Sequence, residues 1–215
     1  MKILHIVAGV WKDSGGIATL VLGFSREQAK AGHEVGLVFL AGDRHVGVEF
    51  AEKAGVRVRT FKRAFPHFLF FSWGLLFGLE KLVRNTEVVH VHSNWTFPVW
   101  WGAWLALRYK KVLVMSPQGC LDPVRLKHSE WKKKAVGWID RWLLWRATVI
   151  HATCEAEKAW IQAFLKLETG SLKPGGALRF EAPRIVVIPN GIEKCGSALA
   201  EKVFLSTRNS STARF

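Results

Sequence analysis

Acidic residues are scarce in this chain. Its 215 residues hold 17 Asp plus Glu against 31 Lys plus Arg, a formal net charge of +14. The four aspartates, Asp13, Asp43, Asp122 and Asp140, never form a D-x-D pair, so no carboxylate-chelated divalent metal is expected. Cysteine is scarce too. Cys120, Cys154 and Cys195 are an odd set without C-x-x-C or Cys/His spacing, which argues against a zinc framework and points to reduced thiols in the cytosol. Neither G-x-G-x-x-G nor G-x-x-x-x-G-K-[ST] occurs, so the nicotinamide and P-loop fingerprints are both missing. The most apolar stretch, from Phe68 to Leu79, is too short to span a bilayer. The apolar start after Lys2 runs into "KDSGG" rather than a small-x-small cleavage site, and reads as a first strand.

What is present is an alternation. β-rich runs at 2–8, 34–40, 56–61, 87–92, 111–116, 147–153 and 184–189 are separated by helical patterns near 46–54, 73–84, 97–108, 131–146 and 155–165. Several runs, "EVGLVFL" among them, are continuously apolar, as strands are when helices cover both faces of a parallel sheet. The expected fold class is α/β: a single doubly wound, Rossmann-like domain with a mostly parallel sheet of about seven strands. Between the first two strands, Ile17, Leu20, Val21 and Phe24 fall at i, i+3, i+4 and i+7. They predict a helix with one apolar stripe toward the sheet, ended by Gly32. The domain is expected to cover 1–193, leaving a polar tail at 194–215 that frays.

Loops that follow the strands of such a sheet carry its chemistry. In "KDSGGIATL", Gly15 and Gly16 leave backbone N–H groups bare at a helix start, where a diphosphate would be stabilised; a turn without a ligand is the plainer reading. In "VVHVHSNWTFP", His90 and His92 share a strand face. His92, nearer the carboxyl end, suits orienting a hydroxyl or moving a proton, and His90 a hydrogen-bonded place in the sheet. "SPQGCLDP" puts Gly119 in a loop at the same edge, and "HATCEAEK" opens a helix with Glu155 and Glu157, where capping is as good a reading as catalysis. Of the tryptophans in "WTFPVWWGAW", Trp95 lies beside the expected cleft and could stack on a sugar. Trp100, Trp101 and Trp104, at helical spacing, read as packing.

Taken in order, "DSGG", "GHEV", "VVHVHSNW", "SPQGCLDP", "HATCEAE" and "VVIPNGIE" resemble the N-terminal half of the family 4 glycosyltransferases, over about residues 1 to 193. The resemblance implies the two-domain GT-B fold, with this chain as its acceptor-side domain. It implies retaining, metal-independent transfer of a hexosyl group from a nucleotide-diphosphate sugar to a hydroxyl acceptor, such as a lipid-linked or cell-envelope glycan. No cofactor beyond that donor substrate is implied. On the same terms Gly15 and Gly16 lie by the donor diphosphate and the acceptor, His92 lines the catalytic cleft, and "IPNGIE" is where the chain leaves for the second domain. That second domain, with its cationic diphosphate grip and paired glutamates, exceeds what the 22 residues 194–215 can form.

The charge calls for anionic partners. The segment 64–82, "AFPHFLFFSWGLLFGLEKL", reads either as a buried helix or as an interfacial one; Arg57, Arg59, Lys62 and Arg63 beside it tilt the surface toward anionic lipid. "RLKHSEWKKKAVGWIDRWLLWR" is a second basic, Trp-rich region of the same kind. Nucleic acid is not expected, since no zinc-finger, RRM or helix-turn-helix pattern accompanies the charge. The expected partners are a nucleotide sugar, a glycan or lipid-linked acceptor and an anionic membrane surface, for a cytoplasmic protein resting on the inner face of the membrane. The competing expectation is a non-catalytic basic module that holds anionic lipid or nucleic acid.

Overall fold

The computed structural model describes residues 1–11, 15–42, 47–127, 130–167 and 183–190. Seven strands, β1 (Lys2–Ile6), β2 (Glu34–Leu40), β3 (Arg57–Phe61), β4 (Val88–His92), β5 (Val112–Ser116), β6 (Val149–Ala152) and β7 (Arg184–Val187), form one sheet in the order β3-β2-β1-β4-β5-β6-β7. Every neighbouring pair is parallel. Between them run α1 (Gly15–Lys30), α2 (Gly47–Lys53), α3 (Trp73–Arg84), α4 (Phe97–Arg108), α5 (Pro123–Lys127), α6 (Glu130–Arg146) and α7 (Glu155–Leu165). The order reverses between β1 and β4. The carboxyl ends of those two strands therefore flank the crevice in which a doubly wound sheet takes its ligand.

The apolar runs become strands because each residue has a core to enter. Along β2, Leu37 and Phe39 join the cluster beneath α1 and α2, while Val38 and Leu40 join the larger one beneath the other helices; all four are fully buried. Helix α4 crosses β1 so closely that a side chain at Gly102 would put its Cβ 2.5 Å from Cδ1 of the buried Ile6. Gly102→Ala is accordingly expected to cost about 1–3 kcal/mol through overpacking, read as a lower urea midpoint with unchanged slope.

The fully buried face of α1 is Ala18, Val21, Leu22 and Ser25; of the expected stripe, Val21 is core, Ile17 packs half-buried against the same cluster and Phe24 against the rings of His90 and His151, while Leu20 is half-buried. Ile17 and Leu20 also line the pocket at the sheet edge. Within the segment 64–82 the helix expected at 73–84 is present as α3, and the residues before it do not extend it. A single 3-10 turn occupies His67–Leu69, and α3 begins only at Trp73, where the Ser72 hydroxyl accepts from Leu75 N–H at 3.2 Å. Only Leu75, Leu79 and Val83 of α3 point inward, and no described helix is long and apolar enough to cross a membrane. Helix α5 is not legible inside "SPQGCLDPVRLK". The tail 194–215, Cys195 and residues 168–182 of the Gly/Pro-rich link lie outside the described residues.

Candidate functional site

A pocket of about 510 Å³ opens at the carboxyl edge of the sheet, between the start of α1 and the loops that follow β5, β6 and β7. Its walls include Gly16, Gln118, Gly119, Arg125, Thr153 and Asn190. Among the described residues, no carboxylate lines it. The absent Cβ of Gly16 would meet nothing within 4 Å, so packing does not require this glycine; its effect is to keep the backbone at the helix start bare. The start of α1 and Arg125 line the same space, and the positive end of a helix beside a guanidinium suits an anionic group. Gly15 is the first residue of α1.

Two loops beside the pocket hold an unusual concentration of strain. Ser93, Trp95 and Gln118 take the left-handed region at φ 73°, 65° and 53°, and Gly119 follows at 75°. Among the described residues, the buried side-chain atoms without a hydrogen-bond partner are Asn94 Oδ1, Trp95 Nε1, Thr96 Oγ1 and Gln118 Oε1. All four belong to these loops. Backbone strain and unpaired polar atoms both cost free energy, and folds concentrate them at functional sites.

Buried carboxylates pin each loop. Asp140 on α6, fully buried, accepts from Asn94 Nδ2 at 2.7 Å and Trp95 N–H at 3.3 Å through Oδ1, and from Trp100 Nε1 at 2.9 Å through Oδ2. Burial pushes its pKa up to about 6, against the pull of those donors. Glu157 on α7 accepts from Gly119 N–H at 2.6 Å and from the Thr153 N–H and hydroxyl, both at 2.7 Å. It therefore caps and staples at once, and the Gly119 N–H is committed to it.

The histidines lie one layer behind the pocket, on the sheet face covered by α1. Gln28 Oε1 can only accept, so His5 Nε2 donates to it at 2.7 Å. His5 Nδ1 then accepts from His92 Nε2 at 2.9 Å, and His92 Nδ1 accepts from the Gln118 amide at 3.0 Å. A second chain is fixed the same way. His151 Nε2 donates to the Ile188 carbonyl at 2.8 Å, its Nδ1 accepts from the Ser116 hydroxyl at 2.8 Å, and Ser116 accepts from His90 Nε2 at 2.7 Å. Burial pulls the His5 pKa down to about 4, and holds His90 and His92 well below the ordinary histidine value with help from neighbouring rings. These rings are neutral at pH 7. Nitrogens of His5, His90 and His92 come within 4.8 Å of one another, as in a metal site, but the hydrogen bonds already account for their placement.

His92 is fully buried with both nitrogens engaged, and it reaches the pocket only through Gln118. Gly16, Gly119 and Gln118 share one pocket; Trp95 instead lines a separate groove with Leu126, Trp138 and Phe164. Burial pushes the pKa of the Cys120 thiol up, which disfavours its thiolate. The profile of the glycosyl transferase 4-like domain matches residues 15–170. The chain belongs to this family. Its sheet and helices are similar to HepE of Anabaena solved with UDP (TM-score 0.60, 15% identity, 96% of this chain and 50% of that one). A glycosyltransferase from Rickettsia africae gives a TM-score of 0.53 at 16% identity over 96% of this chain and 49% of that one. Sucrose-phosphate synthase of Thermosynechococcus elongatus gives 0.57 at 13% identity over 89% and 48%. These likenesses establish the GT-B fold, and the chain spans about half the length of the structures it matches. Among curated proteins none matches it.

In this glycosyl transferase 4-like domain, two site residues escape the sequence reading: Gln118 and Asp140. The signal for Gln118 is its place between Pro117 and Gly119 in a loop after a strand. Asp140 gives none, because its partners lie 40 to 46 residues away.

Proposed function

We propose that this domain is the acceptor-side half of a retaining, metal-independent glycosyltransferase that moves a hexosyl group from a nucleotide-diphosphate sugar to a hydroxyl on a lipid-linked or cell-envelope glycan. The observation that carries it is the pocket that joins the glycine start of α1 to Gln118 and Arg125 at the carboxyl edge of the sheet. Solved with UDP and glucose, HepE of Anabaena lends support to a nucleotide sugar as the ligand. In this reading the bare amides at Gly15 and Gly16 and the positive end of α1 stabilise phosphate charge, a role that elsewhere falls to a chelated ion. The Gln118 amide orients a sugar or acceptor hydroxyl. His92 is a positioning residue, because it holds that amide from behind, and Gly119 makes the turn that presents it. Trp95 contributes the wall of the neighbouring groove. No cofactor takes part beyond the donor itself, and residues 1–193 form the domain.

The test is titration of the 15N-labelled chain with UDP-glucose. Amides of Gly16, Gln118, Gly119 and Thr153 are expected to shift together, at millimolar sugar nucleotide or below. Gly16→Val should abolish the shifts while leaving the urea midpoint within about 0.5 kcal/mol of its parent, because its Cβ meets only open space. Unmoved amides, or a Gly16→Val variant that titrates like its parent, overturn the reading. Retention of RNA at physiological salt would return the non-catalytic basic module to first place.

A further inference from the structure

Six aromatic rings run in unbroken contact over the outside of α3 and α4: Phe77, Trp73, Phe71, Phe97, Trp101 and Trp104. Successive centroids are 6.4, 4.9, 4.7, 6.3 and 4.9 Å apart. Phe97 and Trp101 pack half-buried against the core, but the ends of the strip are exposed. Phe77 is 75% exposed, Trp73 59% and Trp104 41%, and in the connection that leads into α3, Phe65 and Phe68 are 80% and 63% exposed. Scattered surface aromatics need no explanation, but a connected strip of this kind marks an interaction surface.

Charge identifies what it meets. Residues 56–79 and 88–121, which contain the whole strip, include no Asp or Glu; Glu80, three residues after Phe77 on α3, is paired with Arg84 and accepts from the Tyr109 hydroxyl. Within the first stretch Arg59, Lys62 and Arg63 are exposed, and the Arg63 guanidinium lies 4.3 Å from the centre of the Phe70 ring. Cations bordering indole and phenyl rings, with the Glu80 carboxylate beside them already paired with Arg84, match the headgroup boundary of an anionic bilayer. The helices are too short to cross such a bilayer, so the protein would lie on it.

We infer that this strip docks the domain on an anionic membrane, with Phe65, Phe68, Trp73 and Phe77 entering the boundary between headgroups and acyl chains and Arg59 and Lys62 resting on phosphates. The connection after β3 and the start of α4 both stand at the carboxyl edge of the sheet. The pocket opens at that edge too, but on the side of α1, whereas α3 and α4 cover the other sheet face, so the docking does not rest on the proposed transfer. A second aromatic face, Trp138 and Trp142 on α6, is also exposed, and the Arg146 guanidinium lies 4.3 Å from the Trp142 ring. It serves as the control.

Flotation of the chain with phosphatidylcholine vesicles, with and without phosphatidylglycerol, tests the inference. The wild type should float only with phosphatidylglycerol present, and high salt should release it. Trp73→Ser combined with Phe77→Ser should lower the partition coefficient about tenfold or more, with the urea midpoint unmoved because both rings are exposed. Arg59→Glu with Lys62→Glu should abolish the preference for anionic lipid. Phe77→Trp should bind at wild-type strength. The inference fails if the double serine variant floats like its parent, if Trp138→Ser with Trp142→Ser alone abolishes flotation, or if sizing chromatography shows a dimer that the paired change at Trp73 and Phe77 dissolves. Amide shifts with UDP-glucose should survive that paired change, which separates the docking surface from the pocket.

Discussion

Urea melts taken at falling pH are expected to show stability draining away once the pH drops below 6.5, where free histidine begins to protonate. His5 has a folded pKa of about 4 and stays neutral in the native state while the unfolded chain takes up its proton. The same direction holds for His90, which faces Phe24 of α1, Ser116 and the rings of His5, His92 and His151, and for His92, which faces His5, His90 and the Gln118 amide. A depressed histidine contributes stability that is complete above the unfolded pKa and is lost as pH falls toward the folded one. Asp140 acts in the opposite sense. Its raised pKa lets the folded state hold a proton that the unfolded chain releases between 3.8 and about 6, so acid relieves its penalty over that window. Three depressed histidines stand against one raised carboxyl, so the net direction is loss of stability as the pH falls through the range in which the unfolded histidines protonate. His90→Gln, which keeps a donor for Ser116, should flatten the slope by about one proton; a flat profile in the wild type would show that the rings are already protonated or solvated.

That histidine array shows how far the chain can be read without coordinates. The sheet is legible because its strands are continuous apolar runs between helical patterns, and a parallel sheet covered on both sides produces that pattern and little else does. The glycines are legible as a helix start beside the switch point, since composition and position coincide at Gly15 and Gly16. The depth of His92 is not. Strand alternation says that His90 and His92 share a face, but whether that face opens to a crevice or lies under α1 is decided by His5 and Gln28, far earlier in the chain. Apolar periodicity finds the α1 stripe, but it does not say that Ile17 and Leu20 also line the pocket at the sheet edge. In segment 64–82 the helix at 73–84 is legible, but the outward turn of many of its rings is not, because composition does not distinguish a core from an exposed apolar surface.

Asp140→Ala is expected to be the most damaging single change outside the apolar core, at about 3–5 kcal/mol in urea unfolding. The carboxylate is fully buried, and three donors converge on it: the Asn94 amide, the Trp95 N–H and the Trp100 indole. Removing it leaves all three without a partner in a space too enclosed to offer each one bulk water, and a buried unpaired donor costs about 1–3 kcal/mol. It also frees Ser93 and Trp95 from the contact that holds them in left-handed backbone, so the loop relaxes and part of the cost is recovered. Asp140→Asn separates charge from geometry. The neutral side chain avoids the desolvation that raises the carboxyl pKa to about 6, but its amide nitrogen must oppose either the Trp100 or the Asn94 donor. Above pH 6 the Asn variant is therefore expected to lose less than the Ala variant, and its stability should no longer rise as Asp140 takes up a proton on acidification. If Ala and Asn cost the same at pH 7, the donors are satisfied elsewhere, and Asp140 is not what shapes the loop beside the pocket.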